Sequence, residues 1–517
     1  MKNIVSALRG WTADLTGRRD YHRYREWDDR ARRLRAQLAC ILAAGATLGY
    51  LAIILEVIDF TKALAVPFLA AEGLGLTIFI WFFASAWYPR FHRPDAPAAA
   101  QEHSVDVFVT SCGEPTELVL ETLRAACDID YPNKKVYLLD DGGNRELRKA
   151  AATFGYTYLA RPVRVHAKAG NLNYGLERTD GDLVLVLDAD QRPDKAILSS
   201  VIGYFNMPKI AFVQTRQAFD VPPGDPFCNS DPLFYGVMQS GKDRQNSAFS
   251  CGSGALYRRT AIQEVGGFST WNLVEDLHTS MNLHDAGWRS VYHNHALSIG
   301  TAPRTIAGVY RQRWQWAVDA LRLFFWDNPF FRKGLTLSQK FQYSHVGVVY
   351  LFAGWAMPVF YVIPIIALMM PDTAFLKISL WSYLVARMPA LLLTNYAYAQ
   401  AYRASDESVP LGQATHTWLG YFPVFMSATV KALMSPVRKP RYRVNEKRTA
   451  GAAGLRRFVS VAPQLTIVVM SFVAIPVGYF QMTGSLDLWA ISSLWALGNA
   501  RSVAVVCQAV WKQPKLG

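Results

Sequence analysis

The sequence predicts a cytosolic α/β domain inserted in an α-helical membrane domain of about six transmembrane helices plus interfacial helices. Three observations predict this fold class. Six apolar segments are long enough to cross a bilayer, which takes about 20 residues. The long segment between the second and third of them has a strand, helix, strand rhythm. The formal net charge of +14 comes from Lys and Arg beside apolar segments, which indicates membrane topology rather than nucleic-acid binding.

The six apolar segments form three pairs of predicted transmembrane helices. Their bounds are 37–56, 63–87, 344–370, 374–396, 458–482 and 486–509. The turns inside each pair are short and poor in Lys and Arg. By contrast, residues 1–36 hold ten Lys and Arg against five Asp and Glu, and residues 431–457 hold nine against one. This asymmetry predicts that both termini are cytoplasmic. The span 374–396 contains Arg387 and Pro389, so a kinked or interfacial helix is the alternative there.

These segments divide the chain into seven predicted regions. They are a basic cytoplasmic N-terminal segment (1–36), a transmembrane hairpin (37–87), a cytoplasmic α/β domain (103–330), an interfacial segment (331–343), transmembrane helices 3 and 4 (344–396), an interfacial helix followed by a loop (397–457), and transmembrane helices 5 and 6 (458–510). The six cysteines show no CxxC pairing, which fits a reducing compartment and argues against zinc. We expect a multi-pass protein of the plasma membrane.

The α/β domain alternates between strand-like and helix-like patterns. Predicted strands are Val105–Ser111, Lys135–Leu139, Tyr156–Leu159 and Leu183–Leu187, and predicted helices are Glu117–Cys127 and Arg145–Phe154. Such alternation favours a parallel sheet, whose ligand lies at the carboxyl ends of the strands. Polar or acidic turns follow three of these strands, so we expect the turns to share that edge.

The strand that starts at Leu183 ends in two carboxylates, Asp188 and Asp190, two residues apart. Oxygen ligands of this kind suit Mg²⁺ or Mn²⁺, and such an ion neutralises charge on a leaving nucleoside diphosphate. A solvated turn is the alternative explanation, because Asp-x-Asp is common at strand ends.

Seven motifs follow one another along the chain. They are Thr110–Pro115, Asp140–Gly142, His166–Asn171, Asp188–Asp190, Ser250–Ser253, Val274–Asp276 and Gln312–Trp316. In order and spacing they resemble the processive membrane glycosyltransferases of family 2, above all the cellulose synthase group, over roughly residues 103–450. The resemblance implies a glycosyltransferase-A-like fold for the cytosolic domain. It also implies a bacterial β-glucan synthase, such as a cellulose or curdlan synthase, that polymerises glucose from UDP-glucose and translocates the chain across the plasma membrane.

The same resemblance implies roles for individual side chains. The nucleotide sugar would be bound by Thr110, Glu114, Asp140, Asp141, Lys168, Asp188, Gln312, Arg313 and Lys447, and the Mg²⁺ or Mn²⁺ ion by Asp188 and Asp190. Glu275 and Asp276 would be catalytic, and Cys251, Gly252, Trp314 and Trp316 would bind the acceptor glucan. Asp140 and Asp141 would accept hydrogen bonds from uracil or ribose. Two alternatives stay open, Asp141 as a helix N-cap and Lys168 as a surface lysine.

Asp276 is the candidate general base, because an inverting transfer needs a carboxylate that takes the proton from the incoming sugar hydroxyl. The family has Thr-Glu-Asp here, whereas this chain has Val274 in place of the Thr and keeps both acids. The alternative is an ordinary helix N-terminus, where acids interact favourably with the dipole. Cys251 has no activating partner in the sequence, so we do not expect it to be a nucleophile.

The family signature Gln-Arg-x-Arg-Trp is altered in this chain. Gln315 stands where the family has its second Arg, and it cannot supply the charge that meets the diphosphate. Arg313 would supply that charge alone or with help from Arg311. Trp316 would stack on the acceptor sugar, with a place in the interfacial aromatic belt as the alternative.

Residues 442–447, Tyr-Arg-Val-Asn-Glu-Lys, resemble the gating loop of cellulose synthases, which implies that Lys447 approaches the phosphates. A basic loop that contacts the membrane is the alternative. Aromatic residues of the spans could line a channel or face lipid and packing partners; examples are Trp355, Tyr361, Trp381 and Tyr383. We expect the growing polysaccharide and the bilayer as partners, no nucleic acid, and room for accessory export subunits.

Other functions stay open at the level of sequence. A non-processive transferase that acts on a lipid carrier shares the acidic motifs but needs neither Trp316 nor a channel. A synthase that uses another UDP- or GDP-sugar is also compatible. A catalytically inactive transporter or sensor conflicts with the intact set Asp141, Asp188, Asp190 and Asp276. The linkage, whether β-1,4, β-1,3 or mixed, depends on how the acceptor lies above Asp276.

Overall fold

The computed structural model describes residues 29–87, 96–100, 102–403, 409–440, 454–481 and 485–512. The strands in this part of the chain are β1 Val105–Ser111, β2 Lys134–Asp140, β3 Thr157–Leu159, β4 Leu183–Asp188, β5 Gln191–Pro193, β6 Ile210–Asp220, β7 Ala255–Arg258 and β8 Arg289–Thr301. The helices are α1 Asp29–Val57, α2 Ala65–Ala86, α3 Thr116–Cys127, α4 Arg145–Phe154, α5 Ala167–Leu176, α6 Ile197–Val201, α7 Gln239–Arg244, α8 Arg259–Glu264, α9 Asp276–Asp285, α10 Ile306–Trp326, α11 Leu337–Leu351, α12 Met357–Met369, α13 Leu380–Arg403, α14 Leu411–Gly420, α15 Phe422–Leu433, α16 Ala462–Gln481 and α17 Leu486–Lys512.

The strands form one sheet in the order β3-β2-β1-β4-β7-β6-β8-β5. β1 is parallel to both β2 and β4, and β2 is parallel to β3, so this half is the parallel sheet expected from the sequence. The other half is mixed, because β7 runs antiparallel to β4 and β6, and β5 antiparallel to β8. The four strands predicted from the sequence all lie in the parallel half, and the mixed half contains strands that the sequence analysis did not predict. β5 and β7 have only three and four residues, too few for a recognisable period.

Successive residues of the central strands point to opposite faces of the sheet and enter two apolar cores. Val107 and Val109 of β1 pack in one core, whereas Phe108 between them packs in the other. The register places Thr110 opposite Asp188, and the end of β1 beside the end of β2. The polar turns after β1, β2 and β4 thus share one edge of the sheet, as predicted.

Five helices among the described residues are long and apolar enough to cross a membrane, by length and composition: Leu34–Val57, Ala65–Ser85, Leu337–Met369, Phe458–Gln481 and Leu486–Lys512. They coincide with five of the six predicted spans. The third is one helix of 33 residues that runs through α11, a π turn and α12. It begins at a capping box formed by Thr336 and Gln339, within the predicted interfacial segment 331–343, and where the span itself begins stays a prediction.

The remaining predicted span, 374–396, falls on α13, which continues to Arg403 and is not among these five helices. Arg387 of α13 forms an ion pair with Glu72 of α2, with 3.3 Å between Nη1 and Oε1, and lies over the ring of Tyr50. Protein groups therefore hold its charge, as expected for an arginine at membrane depth. That α13 spans the membrane stays a prediction.

The segment predicted as one interfacial helix within 397–457 is folded as two, α14 and α15. They meet at Tyr421, and Pro423 lies in the first turn of α15, where its missing N–H costs no helical hydrogen bond. Helix α15 packs against α10, and α14 packs against α17, around a shared apolar core.

Candidate functional site

Lys168, at the start of α5, joins the acidic end of β4 to the acids before α9. Its Nζ lies 2.6 Å from Oδ1 of Asp188 and 3.1 Å from Oε1 of Glu275. The same atom donates to the carbonyl oxygen of Gly252 at 2.5 Å. Burial alone would lower the pKa of Lys168, but the charges of Asp188 and Glu275 outweigh it and raise the pKa. The alternative of a surface lysine is therefore wrong, and Lys168 organises the acidic site.

Asp276 is the first residue of α9 and lies beside this ion-pair network. Its Oδ1 accepts a hydrogen bond from the backbone N–H of Leu277 at 2.6 Å. Burial, followed by the charge of Glu275, raises the pKa of Asp276 to about 7. A carboxylate with such a pKa takes up a proton readily at neutral pH, which is the property that a general base requires.

Gly252 forms the wall next to both groups. Its φ of +80° favours glycine, and an added Cβ would lie 3.1 Å from Oδ2 of Asp276 and 3.3 Å from Nζ of Lys168. The absence of a side chain at Gly252 thus lets the Cys-Gly-Ser turn approach Asp276 and Lys168 closely. Cys251, in the same turn, accepts a hydrogen bond from Gln239 on Sγ at 3.3 Å, and burial raises the pKa of its thiol. A protonated thiol is a poor nucleophile, in agreement with the sequence analysis.

Asp140 and Asp141, after β2, are both engaged within the protein. Asp140 accepts hydrogen bonds from the backbone N–H groups of Gly142 and Asn144, each at 2.7 Å. Asp141 forms a bidentate pair with Arg161, at 2.7 Å and 2.6 Å. The N-cap alternative for Asp141 is wrong, because Asn144 accepts the N-terminal N–H groups of α4. The predicted contacts of Asp140 and Asp141 with a nucleoside stay predictions.

Two further donor-site candidates, Glu114 and Thr110, lie at the same edge. Glu114 closes its own turn, since it accepts from the backbone N–H of Cys112 at 2.6 Å and from the Ser111 hydroxyl at 3.1 Å. Burial raises the pKa of Glu114. Thr110 Oγ1 donates to the carbonyl oxygen of Leu187 at 3.3 Å. The structure therefore gives Glu114 and Thr110 roles in shaping the edge of the sheet.

The two carboxylates of the Asp-x-Asp motif differ in exposure. The side chain of Asp188 is 41% exposed, whereas Asp190 is buried and accepts from the backbone N–H of Thr301 at 3.2 Å. Within the described ranges, no group of three or more His, Cys, Asp or Glu could hold a metal ion. Mg²⁺ is commonly held by one or two carboxylates together with substrate phosphates. The donor set of Asp188 and Asp190 fits an ion of that kind rather than a site built from protein ligands alone.

Helix α10 presents its altered signature to two separate cavities. Arg313 and Trp316 line the cavity that also contains Asp276, with the guanidinium carbon 4.9 Å from the centre of the Trp316 ring. Trp314 and Gln315 instead line a second cavity, of about 620 Å³, with Arg311. The structure thus brings Trp316 to the catalytic cavity and leaves Trp314 outside it.

Arg313 forms an ion pair and a hydrogen bond within the protein. Its Nη1 lies 2.5 Å from Oδ2 of Asp231, and its Nη2 donates to the carbonyl oxygen of Cys228 at 3.1 Å. The arginine is buried and its charge is already balanced by Asp231. The predicted contact of Arg313 with the nucleotide sugar stays a prediction. No described contact links Gln312 to the acids.

The catalytic cavity, of about 520 Å³, extends from the α/β domain into the membrane domain. Cys251, Asp276 and Trp316 line its inner end. Its lining continues through aromatic residues of the helical region, namely Phe79, Phe82, Tyr350, Phe352, Phe360, Tyr398, Trp418 and Tyr421. The four aromatic residues of the spans that the sequence analysis named do not line it, and two of them, Trp355 and Trp381, have exposed side chains. The predicted gating residue Lys447 lies outside the described residues.

Sequence reasoning missed three residues that hold this site together: Arg161, Asp231 and Asp319. Asp319, on α10, accepts the backbone N–H groups of Leu273 and Val274, each at 2.8 Å. The partners of these residues lie 20 to 82 positions away in the chain. Their signal in the sequence is only a charged residue in an otherwise apolar helix or beside a turn.

Two family models match the chain. The description "Glycosyltransferase like family 2" covers residues 103–318, and "Cellulose synthase" covers residues 263–395. Among solved structures, the mannosyltransferase PcManGT from Pyrobaculum calidifontis, in complex with GDP-Man and Mn²⁺, is 18% identical with a TM-score of 0.49, over 66% of this chain and 97% of that one.

The curated relatives are bacterial cellulose synthases. "Cellulose synthase 1" of Komagataeibacter xylinus is 32% identical over 82% of this chain and 28% of its own length. The UDP-forming catalytic subunit of cellulose synthase 1 from the same organism is 33% identical, over 79% of this chain and 56% of its own. The corresponding UDP-forming subunit of Xanthomonas axonopodis pv. citri is 36% identical, over 55% and 41%. The chain thus spans between about a quarter and a little over half the length of these relatives.

Proposed function

Because the chain belongs to the cellulose synthase-like glycosyltransferases of family 2, we propose that it is a processive inverting enzyme. It polymerises glucose from UDP-glucose into a β-glucan and translocates the chain across the plasma membrane. The observation that carries this proposal is the single cavity that contains Asp276 and Trp316 at one end and membrane helices at the other. A transferase that releases a small product has no need of such a continuous space.

The donor would lie at the carboxyl edge of β1, β2 and β4, which carries Asp141 and Asp188. Parallel sheets of this kind bind ligands at that edge. Mg²⁺ or Mn²⁺ bound by Asp188 and Asp190 would neutralise charge on the departing diphosphate. Lys168 pairs with both Asp188 and Glu275, so it fixes the distance between the donor site and the neighbouring base, Asp276.

The transfer step uses Asp276 as the base. Its carboxylate takes the proton from the acceptor hydroxyl while the hydroxyl oxygen bonds to the anomeric carbon of glucose. The bond from that carbon to the diphosphate oxygen breaks, and UDP leaves on the opposite face with the electron pair. Asp276 and Trp316 line the same cavity, so the acceptor hydroxyl can reach Asp276 while the indole of Trp316 offers an apolar surface to the acceptor ring.

The membrane arrangement is proposed as predicted from charge. Both termini and the α/β domain at 103–330 lie in the cytoplasm, and the helices around the cavity form the passage for the polymer. The aromatic lining of the cavity supports this passage, because pyranose rings stack on aromatic side chains and slide along them without fixed hydrogen bonds.

The test uses purified protein with radiolabelled UDP-glucose and Mg²⁺ or Mn²⁺, with products separated by size. The proposal predicts a polymer of many units that a linkage-specific β-glucanase degrades. Asp276→Asn should lower polymer formation by a factor of about 10² or more, because the amide cannot accept the proton. Asp285→Asn, at the far end of α9, is the matched control and should retain activity. A glycolipid as the sole product, or polymer formation by Asp276→Asn at the wild-type rate, would contradict the proposal.

A further inference from the structure

The loop of residues 270–275, which leads into Asp276, is held from outside by charged side chains. Asp319 accepts the N–H groups of Leu273 and Val274 with both carboxylate oxygens, each at 2.8 Å. Its own backbone carbonyl accepts from the Asn272 side chain at 3.0 Å. Asp319 is 1% exposed, so these bonds form in a site with little water, where losing an acceptor is costly.

Arg322, one turn further along α10, holds the same loop from its carbonyl side. It donates to the carbonyl oxygen of Trp271 at 3.0 Å and to Oδ1 of Asn272 at 2.8 Å, and it lies over the Trp271 ring. Lys439 adds bonds to the carbonyl oxygens of Thr270 at 2.7 Å and Asn272 at 2.8 Å. The loop is therefore fixed by paired donors and acceptors rather than by its own secondary structure.

The same helix α10 carries the acceptor side of the cavity. Arg313 and Trp316 precede Asp319 at intervals of three residues, a spacing that puts all three near one face of a helix. All three line the cavity that contains Asp276. One rigid element thus contacts both the proposed acceptor platform and the loop that ends in the proposed base.

We infer that Asp319 is a positioning residue that sets the orientation of Asp276 relative to the acceptor sugar. The inference rests on the proposed function. Asp319 does so by locking the backbone of Leu273 and Val274 to the helix on which Trp316 lies. The side chain of Val274 has no hydrogen-bonding group, so the polar contact of this residue with α10 is its backbone N–H bonded to Asp319.

Asp319→Asn is the direct test, because the amide replaces one acceptor oxygen by an NH₂ group that faces a backbone N–H. The expected result is a fall in kcat on the order of tenfold to a hundredfold, since displacement by about 1 Å costs this much in a positioned reaction. KM for UDP-glucose should stay within about twofold, because the donor edge of the sheet is untouched. Rates are normalised to the fraction of protein that binds UDP, so partial unfolding does not imitate the effect.

Asp106→Asn is the matched control. Asp106 is also 1% exposed and accepts a backbone N–H, that of Gly181 at 2.8 Å, but lies at the opposite end of β1. It should lower thermal stability and leave the normalised kcat unchanged. Arg322→Lys removes part of the hydrogen bonding to Trp271 and Asn272 and should lower kcat less than Asp319→Asn does. It serves as the test if Asp319→Asn does not fold. A wild-type kcat in folded Asp319→Asn and Arg322→Lys would overturn the inference. An inactive wild-type protein would instead contradict the proposed function.

Discussion

At Asp276, burial and the charge of Glu275 raise the pKa of the carboxyl to about 7, so proton uptake should switch the base off near neutral pH. A general base acts in its ionised form, and its activity is therefore present above its pKa and lost below it. We expect kcat/KM for UDP-glucose to fall about tenfold per pH unit below pH 7. The pH dependence of initial rates measures this limb.

Lys168→Met should move the same limb to higher pH, because the positive charge of Lys168 lowers the pKa of Asp276. Lys149→Met, an exposed lysine on α4, is the control and should leave the limb in place. A pH profile that is flat down to pH 5, or a shift to lower pH in Lys168→Met, would show that Asp276 is not the titrating base.

At the same scale, the sequence predicted which acids meet but not what they bind inside the protein. Asp188, Glu275 and Asp276 converge on Lys168 as the motif order implies. The ion pair between Arg313 and Asp231 could not be predicted, because the two residues lie 82 positions apart and no local pattern links them. Charge in a motif reveals a site, whereas the internal partner of that charge depends on tertiary packing.

Within the Cys-Gly-Ser turn, the close approach of Gly252 to Asp276 predicts that a side chain at this position lowers activity. Gly252→Ala should lower activity on the order of tenfold or more, because its Cβ would lie 3.1 Å from Oδ2 of Asp276 and displace the base. Gly266→Ala is a close control, since Gly266 has a φ of +83° and no atom within 4 Å of the added Cβ. Both variants should lose about 1 kcal/mol or more of stability from the left-handed backbone. Equal activity of the two variants would contradict the close packing of Gly252 against Asp276.

The elements of the first half of the domain were predictable because each apolar strand ends in a polar turn and is followed by a helical period. The bounds of β1 and α4 agree with the sequence analysis to the residue. The second half was not predictable in this way. β5 and β7 are short, and the long third membrane helix passes through a π turn at 352–356 that no apolar pattern indicates.

At the scale of the whole molecule, one cavity links the proposed catalytic residues to the helices proposed to form the passage for the polymer. Its inner end contains Asp276 and Trp316, and its outer part is lined by α2, α13 and α14. Glu72 and Arg387 also line it and form an ion pair, so these two charges of the lining balance each other. A neutral polyhydroxylated chain suits such a passage, because it carries no charge that the bilayer would oppose.

The most direct test of this account is protection of the product in sealed vesicles that contain the purified protein with its α/β domain outside. Radiolabelled UDP-glucose is added outside, followed by an endo-β-glucanase that cannot cross the bilayer. The account predicts a labelled polymer that resists the glucanase until detergent opens the vesicles, and no such polymer with Asp276→Asn. A product digested fully without detergent, or label found only in a glycolipid, would contradict it.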